Sequence, residues 1–102
     1  MNISALEVKL LKALAHPIRL KIIKQLLDDR LCVCELCVDD DFTQSNMSQH
    51  LRILKDAGIV TVEKEGNKMM YEVKNKKILN IIELVDEVVI EDLKEMIGSL
   101  TK

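Results

Sequence analysis

The sequence predicts a mainly α-helical fold with a small β-hairpin, and three observations carry that expectation. Apolar residues recur at spacings of three and four over most of the chain. The period changes to two only between Ile59 and Val73. With 2% aromatic residues, no Trp, one Pro and three Gly, the core must be built from Leu, Ile, Val and Met, which suits helix packing on helix. At 102 residues one core, and so a single domain, is expected.

Ile3, Leu6, Leu10 and Leu14 form the stripe of a first helix, capped at Ser4 or just before it. His16-Pro17 then interrupts, because Pro17 disfavours helical geometry at the residue before it and is itself suited to the first position of a new helix. Ile18, Ile22, Ile23, Leu26 and Leu27 make that second helix, which runs to Asp28-Asp29. The segment RLCVCELCV is compatible with two helical turns ending at Asp39-Asp40-Asp41. In FTQSNMSQHLRILKDAG, which follows, Met47, Leu51 and Leu54 form a narrow apolar stripe and Gly58 supplies a stop. A short helix, a turn and a second helix is the order of a helix-turn-helix, here over about residues 32–57.

Val60, Val62, Tyr71 and Val73 flank Glu65-Gly66-Asn67-Lys68, so residues 59–73 read as a hairpin whose Gly66-Asn67 sits where positive φ is needed. The last element, about residues 76–97, carries Ile78, Ile81, Ile82, Val85, Val88, Val89, Leu93, Met96 and Ile97 on one helical face, with Asp and Glu opposite. Its β-branched residues are slightly poor helix formers, so this helix rests on pattern and tertiary burial. The expected architecture is a winged helix-turn-helix with dimerisation helices at both ends.

A formal charge of -2 argues against indiscriminate coating of nucleic acid, but the sum hides an asymmetry. Residues 44–77 hold seven basic and four acidic side chains, whereas residues 78–102 hold two basic and six acidic. No apolar run approaches the roughly 20 residues of a membrane span, and the first residues lack a secretory pattern, so a cytoplasmic protein is expected. Three cysteines in such a chain are expected to be reduced thiols, not a disulfide framework.

At about 100° per residue, Ser45, Ser48, Gln49 and Arg52 share the face opposite Met47, Leu51 and Leu54. Hydroxyls, an amide and a guanidinium hydrogen-bond to base edges and phosphates in a major groove. An isolated helix with such a face would more often be merely solvated. Here the preceding helix and turn, the hairpin behind it, and Lys64, Asn67 and Lys68 at the hairpin tip favour DNA. His50, at the stripe's edge, fits a packed boundary histidine or a phosphate contact equally well. Because one helix reads only a few bases, two-fold pairing on operator double-stranded DNA is expected, and the two end helices carry apolar surface beyond the needs of one core.

The runs ALAHPIRLKIIKQL, LCVCELC and SNMSQHLRILKDAGIV, with the Gly-Asn wing turn, resemble the ArsR/SmtB family of metal-responsive winged-helix repressors, from about Leu6 to Ile97. CVCELC is close to the metal box of the arsenic-responsive branch, with Arg30 where the box usually has an acidic residue. The resemblance implies a homodimeric repressor that leaves its operator when a toxic metal or metalloid binds. It also implies that the Ser45 to Lys55 helix reads the major groove, giving a DNA-binding set of Gln44, Ser45, Asn46, Ser48, Gln49, His50, Arg52, Lys64, Asn67 and Lys68.

Cys34 and Cys37 face one side of a helix, whereas Cys32 points elsewhere, so an ideal helix cannot aim all three at one ion. The sulfurs of Cys32 and Cys34 converge only if that turn loosens or never forms. A soft ion therefore selects a distorted conformer and weakens DNA affinity. Position at a helix N-terminus should also lower the thiol pKa values. A three-thiolate site of Cys32, Cys34 and Cys37 suits As(III) or Sb(III) as inducer, and no cofactor is required for DNA binding. Structural zinc normally takes four ligands, and neither His16 nor His50 adjoins the cysteines in sequence. The family's zinc sensors use histidines of the last helix, which has none here, and its cadmium and lead sensors use an N-terminal cysteine that is absent. A cadmium- or zinc-responsive repressor, a thiol-redox-sensing one and a metal-blind one with buried cysteines stay as alternatives. An enzyme is not expected, since Cys34-Glu35-Leu36-Cys37 lacks the βαβ setting of a thioredoxin-type site.

Overall fold

The computed structural model describes residues 2–36 and 44–100. The order is α1 (Ile3–Leu14), α2 (Pro17–Leu26), β1 (Leu31–Cys32), a 3-10 turn (Val33–Glu35), α3 (Gln44–Asp56), β2 (Val60–Glu65), β3 (Lys68–Val73) and α4 (Lys77–Leu100). The fold is mostly helical with a small antiparallel sheet of order β1-β3-β2.

Local chemistry sets most boundaries. Asn2, not Ser4, caps α1, its side chain accepting from the Ala5 N–H at 3.2 Å. His16 caps α2 from extended backbone, its Nδ1 accepting from the Ile18 N–H at 3.1 Å, and Pro17 takes the first helical position. At the end of α3, Gly58 adopts φ 77° while its N–H bonds Lys55 O and the Ile59 N–H bonds Leu54 O, both at 2.9 Å. That is a Schellman stop, and the flanking Leu54 and Ile59 are both fully buried. In the hairpin turn only Gly66 takes positive φ, at 60°; Asn67 does not, which corrects the expectation for that position.

Two further expectations change. Residues 32–36 form no α-helical turn: Cys32 is extended, the 3-10 turn follows, and Leu36 returns to extended backbone. The expected continuation to Asp39-Asp40-Asp41, and Cys37 with it, lies outside the described residues. The hairpin also gains a third strand, since Leu31 pairs with Tyr71 and Cys32 with Met70.

The core joins Ala13 and Leu14 of α1, Ile22, Ile23 and Leu26 of α2, Leu36, the Met47-Leu51-Leu54 stripe of α3, Ile59 and Val60, and Ile78 and Ile82 of α4. Beyond Ile82 the last helix leaves this core. Val85, Val88, Val89, Leu93, Met96 and Ile97 are exposed, as are Ile3, Leu6 and Leu11 of α1. Among the described residues no helix is long and apolar enough to cross a membrane.

Candidate DNA interface and thiol site

Burying Met47, Leu51 and Leu54 fixes the rotation of α3, because those positions share one face. Asn46, Ser48, Gln49 and Arg52 are consequently exposed. The Arg52 side chain is 84% exposed and only weakly engaged, its Nε lying 4.0 Å from Asp56 Oδ2 one turn on. Gln44 and Ser45 stand in the first turn of α3, and their side chains lie outside those described. Lys64, Asn67 and Lys68 are exposed at the hairpin tip. Between α3 and the hairpin runs a cleft of about 430 Å³, lined by Ser48, Arg52, Lys55 and Asp56 on one side and Val62, Met69 and Tyr71 on the other.

His50 lies at the edge of the buried stripe. Its ring packs against His16 with centroids 4.6 Å apart, and its Nδ1 lies 3.2 Å from Arg19 Nη1. Burial, then the neighbouring His16 and Arg19, hold the His50 imidazole below its usual pKa. Arg19 also donates to the Ala13 carbonyl at 2.6 Å and the Lys12 carbonyl at 3.3 Å, closing the exposed C-terminus of α1. Sequence reasoning singled out His16 and His50 separately. It missed Arg19, whose only signal was a guanidinium two residues past the Pro17 break.

The extended Cys32 and the 3-10 turn bring two sulfurs together: Cys32 and Cys34 form a disulfide with Cα atoms 5.3 Å apart. This corrects the expectation of reduced thiols for that pair, whose sulfurs neither titrate nor ligate in this form. It also explains how they meet, since the α-helical turn that would separate them is not made. Cys32 is 3% exposed, whereas Cys34 is exposed. Glu35, which sequence reasoning passed over, accepts from the Cys32 N–H at 3.1 Å, and its carboxylate and the two sulfurs lie within 4.8 Å of one another. A Glu three positions after the capping residue was the available signal. Two sulfurs and a carboxylate form a donor set that fits a soft or borderline ion once the pair is reduced. The 3-10 turn packs against both α3 and β3.

The model for the "Bacterial regulatory protein, arsR family" matches residues 16–62. The chain is 40% identical over 74 residues to the "HTH-type transcriptional repressor SmtB" of Mycobacterium tuberculosis, covering 72% of this chain and 55% of that protein. It is 42% identical over 74 residues to the "Cadmium resistance transcriptional regulatory protein CadC" of Listeria innocua, covering 72% and 62%. With the "Arsenical resistance operon repressor" of Staphylococcus xylosus it shares 40% identity over 73 residues, 72% of this chain and 69% of that one. The chain thus spans little more than half the length of some relatives. The solved structure of Mb0332 from Mycobacterium bovis, described as a "homodimeric winged helix-turn-helix DNA-binding domain", superposes with a TM-score of 0.81 at 25% identity over 91% of this chain and 86% of that one.

Proposed function

Because this chain belongs to the ArsR family of bacterial regulatory proteins, we propose that it is a homodimeric, cytoplasmic transcriptional repressor released from operator DNA when As(III) or Sb(III) binds Cys32, Cys34 and Cys37. Residues 1–102 act as one winged helix-turn-helix domain, with the reading unit in residues 32–57, the wing in 59–73 and the dimer helix in 76–97. It has no enzymatic step. Gln44, Ser45, Asn46, Ser48, Gln49, His50 and Arg52 approach the major groove, and Lys64, Asn67 and Lys68 approach the flanking phosphates. Within that set His50 contributes by packing, since its ring is engaged with His16 and Arg19.

The observation that carries the reading is the approach of the Cys32 and Cys34 sulfurs on a turn that packs against α3. Reduced, this pair with Cys37 offers thiolates to a trivalent metalloid, whose soft bonding suits sulfur. The 3-10 turn of Val33, Cys34 and Glu35 makes the contact to α3, and the adjoining Leu36 belongs to the same buried cluster as Met47 and Leu51. A rearrangement of the sulfurs therefore disturbs the seat of the reading helix. Coupling of about 1–3 kcal/mol is typical of such linkage.

Two alternatives each have one observation behind them. The Cys32–Cys34 disulfide favours a repressor that senses thiol oxidation. The Glu35 carboxylate beside both sulfurs favours a cadmium or zinc ion. The deciding experiment titrates operator binding by reduced protein with arsenite, cadmium, zinc and peroxide. Release by arsenite at about one equivalent per subunit is the expected outcome; unchanged affinity with arsenite and loss with peroxide replaces it by the redox reading.

A further inference from the structure

β1 makes the first thiol of the site a member of the wing's own sheet. Cys32 stands opposite Met70 of β3, which stands opposite Glu63 of β2, so cross-strand partners put all three on one sheet face. Leu31 and Tyr71, alternate along their strands, pack against the core instead. Arg30, the residue before β1, then reaches across that outer face. Its Nη1 lies 2.7 Å from Glu65 Oε1, its Nη2 3.2 Å from Glu63 Oε2, and its Nε 3.9 Å from Glu72 Oε2. The arginine therefore holds both wing strands from a backbone position two residues from Cys32.

The charges make this more than a surface pair. An isolated exposed ion pair contributes little, but a planar guanidinium shared by several carboxylates is a network with defined geometry. The wing strands and turn carry Glu63, Glu65 and Glu72 against Lys64 and Lys68, so the wing is net acidic until Arg30 is added. An acidic wing opposes phosphate, and the arginine both fixes the hairpin and neutralises it.

We infer that Arg30 is a positioning residue that ties the thiol site to the wing, so that drawing Cys32 away from β3 also frees the Lys64–Lys68 tip from its DNA-facing position. The inference rests on the reading of Cys32 and Cys34 as the sensing site. It does not depend on which ligand they take. It also gives release a second route beside the contact with α3.

The test uses the full chain, reduced, with Cys34→Ser and Cys37→Ser so that only Cys32 reacts, and iodoacetamide as the probe. Alkylation of this protein is expected to raise hydrogen exchange in β3 and at the wing tip while leaving α2 amides protected, and to weaken operator binding about fivefold or more, the lower end of allosteric coupling. With Arg30→Ala added, wing exchange should be raised before alkylation, Cys32 should react several-fold faster, and alkylation should cost no further operator affinity. Arg30→Lys, which keeps the charge and loses the fork, carries the same measurement if the alanine variant does not fold. Unchanged Cys32 reactivity and wing exchange without Arg30, or exchange raised equally in α2, would overturn the inference. Arsenite failing to bind would sink the metalloid assignment alone, since iodoacetamide requires only the thiol.

Discussion

The His50 ring on α3 packs against the His16 ring at the start of α2, centroids 4.6 Å apart, and Arg19 Nη1 lies 3.2 Å from His50 Nδ1. This contact links α3 to the α1–α2 junction, and burial, with His16 and Arg19 adding to it, lowers the His50 pKa. Its lowered pKa has a consequence for stability. The unfolded chain takes up this proton near the ordinary value of about 6.5, the folded one only at lower pH, so the contribution is whole above about pH 6.5 and declines on acidification toward the folded pKa. Denaturation midpoints should therefore fall between about pH 7 and pH 5, and His50→Gln should flatten that fall. An identical slope in the variant would remove His50 as its source.

Arg52→Ala should weaken operator binding and reduce the slope of log affinity against log salt by about one if it contacts a phosphate. Its side chain is 84% exposed, so the unfolding midpoint should not move. Leu51→Ala, on the opposite face and fully buried, should instead cost about 2–5 kcal/mol in denaturant titrations. Equal behaviour of the two variants would contradict the rotation described for α3.

Cys34→Ser should leave operator affinity intact and abolish the arsenite response. Loss of DNA binding in the reduced variant would make the thiol a structural group.

Gly58→Ala isolates backbone strain, because nothing lies within 4 Å of an added Cβ while φ is 77°. A cost of about 1–2 kcal/mol is expected from the left-handed conformation, read as a lower urea midpoint with unchanged m-value. A neutral substitution would mean the stop relaxes.

Val88→Glu tests the exposed face of α4, where Val88 is 59% exposed in the single subunit. Sedimentation should show a shift from dimer to monomer, with operator affinity falling alongside. A variant that stays dimeric would take Val88 out of the interface.

Much was legible in the chain because short-range rules govern it. The spacing of Met47, Leu51 and Leu54 set the buried face of α3, Pro17 set the start of α2, and Gly58 set the stop. Even the apolar excess of the last helix was readable, since Ile78 and Ile82 reach the core while Val88, Leu93 and Met96 do not. Periodicity failed between Arg30 and Leu36. There the apolar pattern allowed a helix, but pairing of Leu31 and Cys32 with β3 competes for the same backbone groups and leaves only a 3-10 turn.

The sequence by itself determined the order of elements outside residues 30–36, the buried and exposed sides of α3, and the presence of three clustered cysteines. Those follow from residue type and spacing along the chain. Only tertiary structure decided that Cys32 joins the wing's sheet, that its sulfur meets that of Cys34, that Arg30 reaches three glutamates, and that His50 meets both His16 and Arg19. Each of the sheet, Arg30 and histidine contacts joins residues about thirty or more positions apart, and such pairings depend on how elements dock, which no local spacing encodes. The sulfur pair is close in sequence, yet it too was set by docking, because the sheet partner β3 prevented the helix that would have kept those sulfurs apart.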